Sequence, residues 1–222
     1  GTINAWGRDR FWHPDRSVMD SIVRCCPKLP LADAMYTIVI DHNRIRCDKG
    51  WDIDLDDGAS NYRMTRNLCL QGGIKLREGF YRTVDNNILV NNTFHPHVWF
   101  NDSKDVFIRN IVMRPYEPVN ISDWGKKVDD NGFTDPLSLQ ISQEKWGQDI
   151  HSCHVPVRFS DPLEGDYTVI NGIVELQKVG FEQFPMEDFG VQSARLRQLA
   201  AQPQFSMPVM VSAAAGEDDY VE

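Results

Sequence analysis

Residues 51 to 58 read "WDIDLDDG", and in them Ile53 and Leu55 alternate with Asp52, Asp54 and Asp56. A period of two predicts a strand with the two aliphatic side chains turned into a core and the three acids outside. The pattern returns in "GIKLREGF": Ile74, Leu76 and Glu78-Gly79 repeat Ile53, Leu55 and Asp57-Gly58 at an offset of 21 residues. Later in each unit an asparagine precedes a short apolar run, in "HNRI", "RNLCL", "NNILV" and "RNIVM". Asn43, Asn67, Asn87 and Asn110 are thereby spaced by 24, 20 and 23 residues. Short strands cornered by Asn and Gly at a period of twenty-odd residues predict a solenoid of stacked coils. The leucine signature of leucine-rich repeats is missing, and helical solenoids need longer helical stretches. The expected fold is therefore all-β, a right-handed parallel β-helix, with the four asparagines stacked as a ladder of amides at an inward corner.

The pattern divides the chain. Residues 1–36 carry no rung and read as loops and a short helix packing over a face of the solenoid. Rungs occupy 37–116. From 117 to 190 the pattern fades into a long excursion and a final strand pair that turns at Glu164-Gly165-Asp166. Residues 191–222 read as a short helix over 191–202 and an acidic tail.

Composition narrows the function. With 222 residues, 41% of them hydrophobic, the chain can build one sizeable domain. Its net charge of -9 and pI near 5.1 argue against nucleic acid or an anionic membrane as partner. Five cysteines without a C-x-x-C spacing suggest buried free thiols, neither a disulfide framework nor a thiolate zinc site. No apolar run reaches the roughly 20 residues of a membrane span, and no signal peptide is present. The opening Gly1, with no methionine before it, is what a processed chain or a piece of a longer one shows. Asn91, Asn101 and Asn120 stand in glycosylation sequons, which turn-rich sequence produces by chance as well.

Stacked coils convert the repeat into columns, because parallel neighbours lie roughly 4.8 Å apart. Asp54 falls over Lys75 and, with the third rung running through "HPHVWF", over His97. Asp56 falls over Arg77 and then Trp99. These columns pair opposite charges. The third sets Asp57 against Glu78, two carboxylates whose repulsion raises one of the two pKa values. A protonated carboxyl about 5 Å from an ionised one is the apparatus of a retaining glycosidase; two acids merely ending strands at a wet turn are the plain alternative. An EF-hand fails at two positions, since Asp57 stands where glycine belongs and Arg63 where the bidentate glutamate belongs. Trp6, Phe11, Trp12, Trp99 and Phe100 lie among Arg8, Asp9, Arg10, His13, His95 and His97, a mixture suited to stacking on a sugar ring. His95-Pro96-His97 and the group His151, Cys153 and His154 lack a further ligand at a telling distance, so no metal site is expected.

"GWDIDLDDGASNY", "GGIKLREGFYRTVDNNILVNN" and "FHPHVWF" resemble the central rungs of right-handed parallel β-helix carbohydrate-active enzymes, especially the glycoside hydrolase group that includes β-xylosidases. The likeness covers residues 36 to 116, and "DPLEGDYTV" and "GFEQFPMEDFGV" are similar to the closing segment of such proteins. It implies hydrolysis of a plant or algal oligo- or polysaccharide without a cofactor, in the periplasm or outside the cell. An aspartate nucleophile and a glutamate acid/base would stand on neighbouring rungs. Glu78 is the matching glutamate; its partner is Asp57 first by register and Asp56 second, with Asp54 the remaining candidate. Asp54, Lys75, Arg77, His97 and Trp99 are the expected substrate-binding residues. Two alternatives share the fold: a polysaccharide lyase holding calcium through Asp52, Asp54 and Asp56 with Lys75 or Arg77 as base, and a non-catalytic glycan-binding or structural β-helix.

Overall fold

The computed structural model describes residues 1–8, 11–190 and 193–200. The chain forms two compact units, residues 1–189 and 190–222. The described part of the second is a helix over Ala194–Ala200, within the segment expected to be helical; the acidic tail lies outside the described residues.

The first unit is a parallel β-solenoid. Sheet A holds Ile3–Ala5, Ile53–Leu55, Ile74–Arg77 and Phe94–His97. Sheet B holds Ile38–Asp41, Tyr62–Thr65, Thr83–Asp85, Val106–Ile108 and Lys127–Asp129. Sheet C holds Arg44–Ile45, Leu68–Cys69, Ile88–Leu89, Ile111–Val112, Gly132–Phe133 and Cys153–His154, so its six strands mark six coils. The three sheets enclose a core of Ile53, Leu55, Ile74, Leu76, Met64, Val84, Leu89, Phe107 and Phe133, in which Phe94 and Phe107 stack with centroids 4.1 Å apart. Each such side chain, fully buried, contributes roughly 1.5 to 3 kcal/mol.

Between sheets B and C the chain turns on two residues. His42, Arg66, Asn86, Arg109 and Asp130 adopt left-handed φ values of 51 to 60°, and each is followed by an asparagine. A left-handed non-glycine residue costs about 1 to 2 kcal/mol, and the asparagines offset it. Asn43 Nδ2 donates to Asn67 Oδ1 (2.9 Å), Asn67 to Asn87 (3.0 Å), Asn87 to Asn110 (2.9 Å) and Asn110 to Asn131 (3.1 Å). The same oxygens accept from the backbone N–H of the previous asparagine, so one amide satisfies two buried donors. The expected ladder of four is present and has a fifth member. It ends on buried Asp149, which accepts from Asn131 Nδ2 (2.9 Å), Ser152 Oγ (2.6 Å) and Ser142 Oγ (2.6 Å). A carboxylate suits that end because the ladder arrives there with donors only.

Rungs therefore extend beyond 37–116 at both ends. Ile3–Ala5 pairs with Ile53–Leu55, inside the segment expected to be loops and a helix, and two further sheet-C strands run through the expected excursion. Long insertions hide the period in both places. Helix α1 (Arg16–Cys25) lies within the first, N-capped by Asp15 and packing Met19 and Val23 against Phe11, Phe80 and Phe100. Helix α2 (Pro136–Trp146), N-capped by Asp135, lies within the second and brings Ser142 to Asp149. The outer face of sheet C is covered by the antiparallel pair Arg158–Asp161 and Asp166–Asn171, as the turn at 164–166 predicts, and by helix α3 (Ile173–Lys178). Among the described residues no helix is long and apolar enough to cross a membrane.

Candidate active site on the outer face of sheet A

Sheet A turns two columns outward. The first is Asn4, Asp54, Lys75 and His95, by direct register. The second holds Arg77 over His97, and one step past the Leu55–Leu76 pair brings Asp56 beside Arg77. Trp6 stands next to Asp56, since Asp56 N–H donates to Ala5 O (2.8 Å). Two expectations need correction. His97 lies over Arg77, not Lys75, because Phe94 and Pro96 take the inward places. Trp99 is not a surface residue: it is wholly buried, its Nε1 donating to Leu76 O at 2.8 Å. The strand ends at His97, and Val98, at φ 51°, bends the chain so that a period of two no longer applies. Phe11 and Phe100 are also core, which leaves exposed Trp6 and half-buried Trp12 of the five aromatic candidates.

The four aspartates of "WDIDLDDG" have separate duties. Asp52 does not face outward with the others; it is buried at the coil corner, accepting from the N–H groups of Cys47 (2.6 Å), Gln71 (3.2 Å) and Gly73 (3.2 Å). Burial nevertheless pushes its carboxyl above the usual range. Asp54 accepts from Asn4 Nδ2 (3.0 Å) and meets Lys75 Nζ at 3.0 Å. Asp56 takes the other side of Lys75 Nζ at 3.2 Å. Asp57 receives Arg77 Nε at 2.9 Å and Arg8 Nε at 2.9 Å. Trp51 lies over this face, its ring centroid 4.3 Å from Lys75 Nζ and about as far as edge contact requires from His95 (6.0 Å) and His97 (5.9 Å). Burial, then the charge of neighbouring groups including Lys75, drops both imidazoles to about 4. Both are neutral at pH 7, and the Nε2 of His95 is fixed by Asn92 Oδ1 at 2.8 Å.

Asp57 and Glu78 occupy equivalent places at the end of sheet A, where Gly58 N–H donates to Glu78 O. Both are buried. The N-terminal segment crosses this turn: Gly7 N–H donates to Asp57 O (2.9 Å), and a Cβ at Gly58, whose φ is 79°, would collide with the Gly7 carbonyl. Arg8, which binds Asp57, lies between Trp6 and Trp12, its guanidinium 4.8 and 5.0 Å from their ring centroids. Burial pushes the Glu78 carboxyl above the usual carboxylate range; Arg77 opposes the push and the charge of Asp57 adds to it. The turn is held from inside by Arg82, a fully buried guanidinium that pairs with Asp105 and donates to the carbonyl of Arg77.

The structure thus gathers Asp54, Asp56, Asp57, Lys75, Arg77 and His97 on one face, leaves buried Glu78 at its end near Asp57, Arg77 and Trp12, and removes Trp99. The sequence names Arg8 in the aromatic and polar mixture but does not place it on Asp57, and it gives no sign of Trp51, of Arg82 or of the direct stacking of His95 on Lys75. His95 was one register choice away; Arg8 comes from a segment without a rung pattern. Elsewhere, Asp129, Asp130 and His151 approach one another, with His151 Nδ1 bonded to Asp129 Oδ2 at 2.6 Å, while Cys153 and His154 lie on a sheet-C strand. The chain matches no protein-family model, no curated protein and no solved structure.

Proposed function

We propose that the protein is a retaining glycoside hydrolase, β-xylosidase-like, acting on a plant or algal oligo- or polysaccharide. The observation that carries this reading is the stacked pair Asp57 and Glu78, two buried carboxyls on adjacent coils, of which the first lies in contact with two guanidiniums. Arg8 and Arg77 contact the first; burial favours the protonated form of the second. Environments that differ in this way separate an acid from a nucleophile. Neighbouring parallel strands stand roughly 4.8 Å apart, close to the roughly 5 to 5.5 Å between carboxyls of a retaining pair and short of the wider gap an inverting enzyme needs.

In this mechanism Asp57 attacks the anomeric carbon to form a glycosyl ester, and Glu78 gives its proton to the departing oxygen. Glu78, now ionised, takes a proton from water as that water cleaves the ester, which returns both groups to their starting states. The guanidiniums of Arg8 and Arg77 orient Asp57 for attack. Asp56 is the second candidate for nucleophile: its oxygens are engaged as those of Asp57 are, one by Asp57 N–H (3.1 Å) and the other by Lys75, and the coil register sets Asp57, not Asp56, beside Glu78. The lyase alternative draws less support, because Asp52 is taken up by three backbone N–H groups and Lys75 sits on the acids that would hold calcium. Release of reducing sugar from neutral glycans, lost in Asp57→Asn and retained in part by Asp56→Asn, supports the assignment. An unsaturated, ultraviolet-absorbing product would replace hydrolysis by elimination.

A further inference from the structure

The outer face of sheet A is charge-balanced. Arg8, Lys75 and Arg77 supply three cations, and Asp54, Asp56 and Asp57 supply three anions, each in contact with at least one of the others. At the head of the second column stands Trp6, 61% exposed. It is held by backbone bonding on both sides, through Ala5 O and Gly7 N–H, and by the Arg8 guanidinium against its ring. Such a ring is a rigid apolar surface with one polar neighbour, next to the carboxyl pair rather than remote from it.

We propose that Trp6 is a stacking platform for a neutral sugar ring at this site, with the Arg8 guanidinium and the Asp56 carboxylate beside it as partners for the sugar's hydroxyls. The inference rests on reading this face as a glycan site. A pyranose presents C–H groups on one face and hydroxyls around its rim, which matches an aromatic plane edged by polar groups. A uronate would bring an additional carboxylate against a face whose three cations are already matched by three carboxylates, and so would leave it with excess negative charge. The substrate class is therefore a neutral glycoside.

The test is calorimetric titration of the Glu78→Gln protein, in which turnover is suppressed, with neutral xylo- and gluco-oligosaccharides and with oligogalacturonides. The expected result is binding of a neutral series that weakens about tenfold on adding Trp6→Ala and less on adding Trp6→Phe, with oligogalacturonides at least tenfold weaker than the neutral series. Because Trp6 is mostly exposed, the thermal melt should stay within a degree or two. Neutral ligands that bind equally with and without Trp6, or bind nowhere, overturn the platform, as does tighter binding of oligogalacturonides. Trp6-dependent binding by a wild-type protein that hydrolyses none of these sugars upholds the platform and removes the hydrolase reading, so the two fail separately.

Discussion

Two polar columns run along this solenoid, and they are built on opposite rules. At the corner between sheets B and C the same residue recurs on every coil from Asn43 to Asn131, each amide bonded to the next and the last to Asp149. On the outer face of sheet A every coil contributes something different: Asn4, Asp54, Lys75 and His95 in one column, Trp6, Asp56, Arg77 and His97 in the other. The five amides of the ladder are uncharged, and a carboxyl enters only at its end. The sheet-A face is instead charged and held by ion pairs, Asp54 Oδ1 with Lys75 Nζ and Arg77 Nε with Asp57 Oδ1, with Trp12 against Glu78. A repeated amide is what stacking requires; a non-repeating set of acids, bases and aromatics is what stacking does not explain. The contrast separates the residues that hold the coil from those to which the glycosidase proposal gives a role.

Asp57→Asn is expected to abolish turnover of all glycosides, because without the nucleophile no covalent intermediate forms; a rate assay on activated and unactivated substrates checks it, and residual turnover above a thousandth of wild type would move the role to Asp56. Next in size is the ladder. Asn87→Ala removes the acceptor for Asn67 N–H and Nδ2 and the donor to Met64 O and Asn110, and is expected to cost on the order of 3 kcal/mol in a denaturant titration. Loss of under 1 kcal/mol would mean that the ladder decorates the corner rather than fixing it. Asp57→Asn should leave a smaller mark on the same titration.

A weaker effect concerns pH. The folded His95 titrates at about 4, whereas in the unfolded chain it titrates near 6.5. Between those values the unfolded chain takes up a proton that the folded chain refuses, so stability is lost as pH falls from 6.5 toward 4. His95→Gln should shrink that loss by on the order of 2 kcal/mol at pH 4, read as the difference between the two proteins' melting curves across the range. Equal slopes would place the imidazole in water.

How far the sequence carried each column follows from the same contrast. The ladder is legible because four asparagines keep their spacing within a few residues; Asn131 keeps it too, 21 residues after Asn110, but only Gly132 and Phe133 follow it as a strand before helix α2 begins at Pro136, so the apolar run that marks the other four is too short to see. The strand pairing of "WDIDL" with "GIKLR" was legible from period and offset. "FHPHVWF" sits two positions from its expected register, with His95 over Lys75 and His97 over Arg77, and nothing in the sequence marks the left-handed turn at Val98 that takes Trp99 off the outer face. Asp52 was placed outside on parity alone, though it stands at a corner where backbone N–H groups converge. Arg8 and Trp51 reach the face through tertiary crossing, and no periodicity reports that.

If Glu78 is the proton donor of a stacked carboxyl pair, the rate depends on the leaving group. Wild-type and Glu78→Gln proteins would be compared on glycosides of graded leaving-group acidity, from activated aryl to alkyl. Glutamine keeps the shape but carries no transferable proton, so hydrolysis of the poorest leaving groups is expected to fall roughly 100- to 10,000-fold while the activated aryl glycosides lose far less in the first step. A uniform loss across the series, or hydrolysis that Glu78→Gln leaves untouched, would contradict the assignment and return Glu78 to the role of an acid ending a strand.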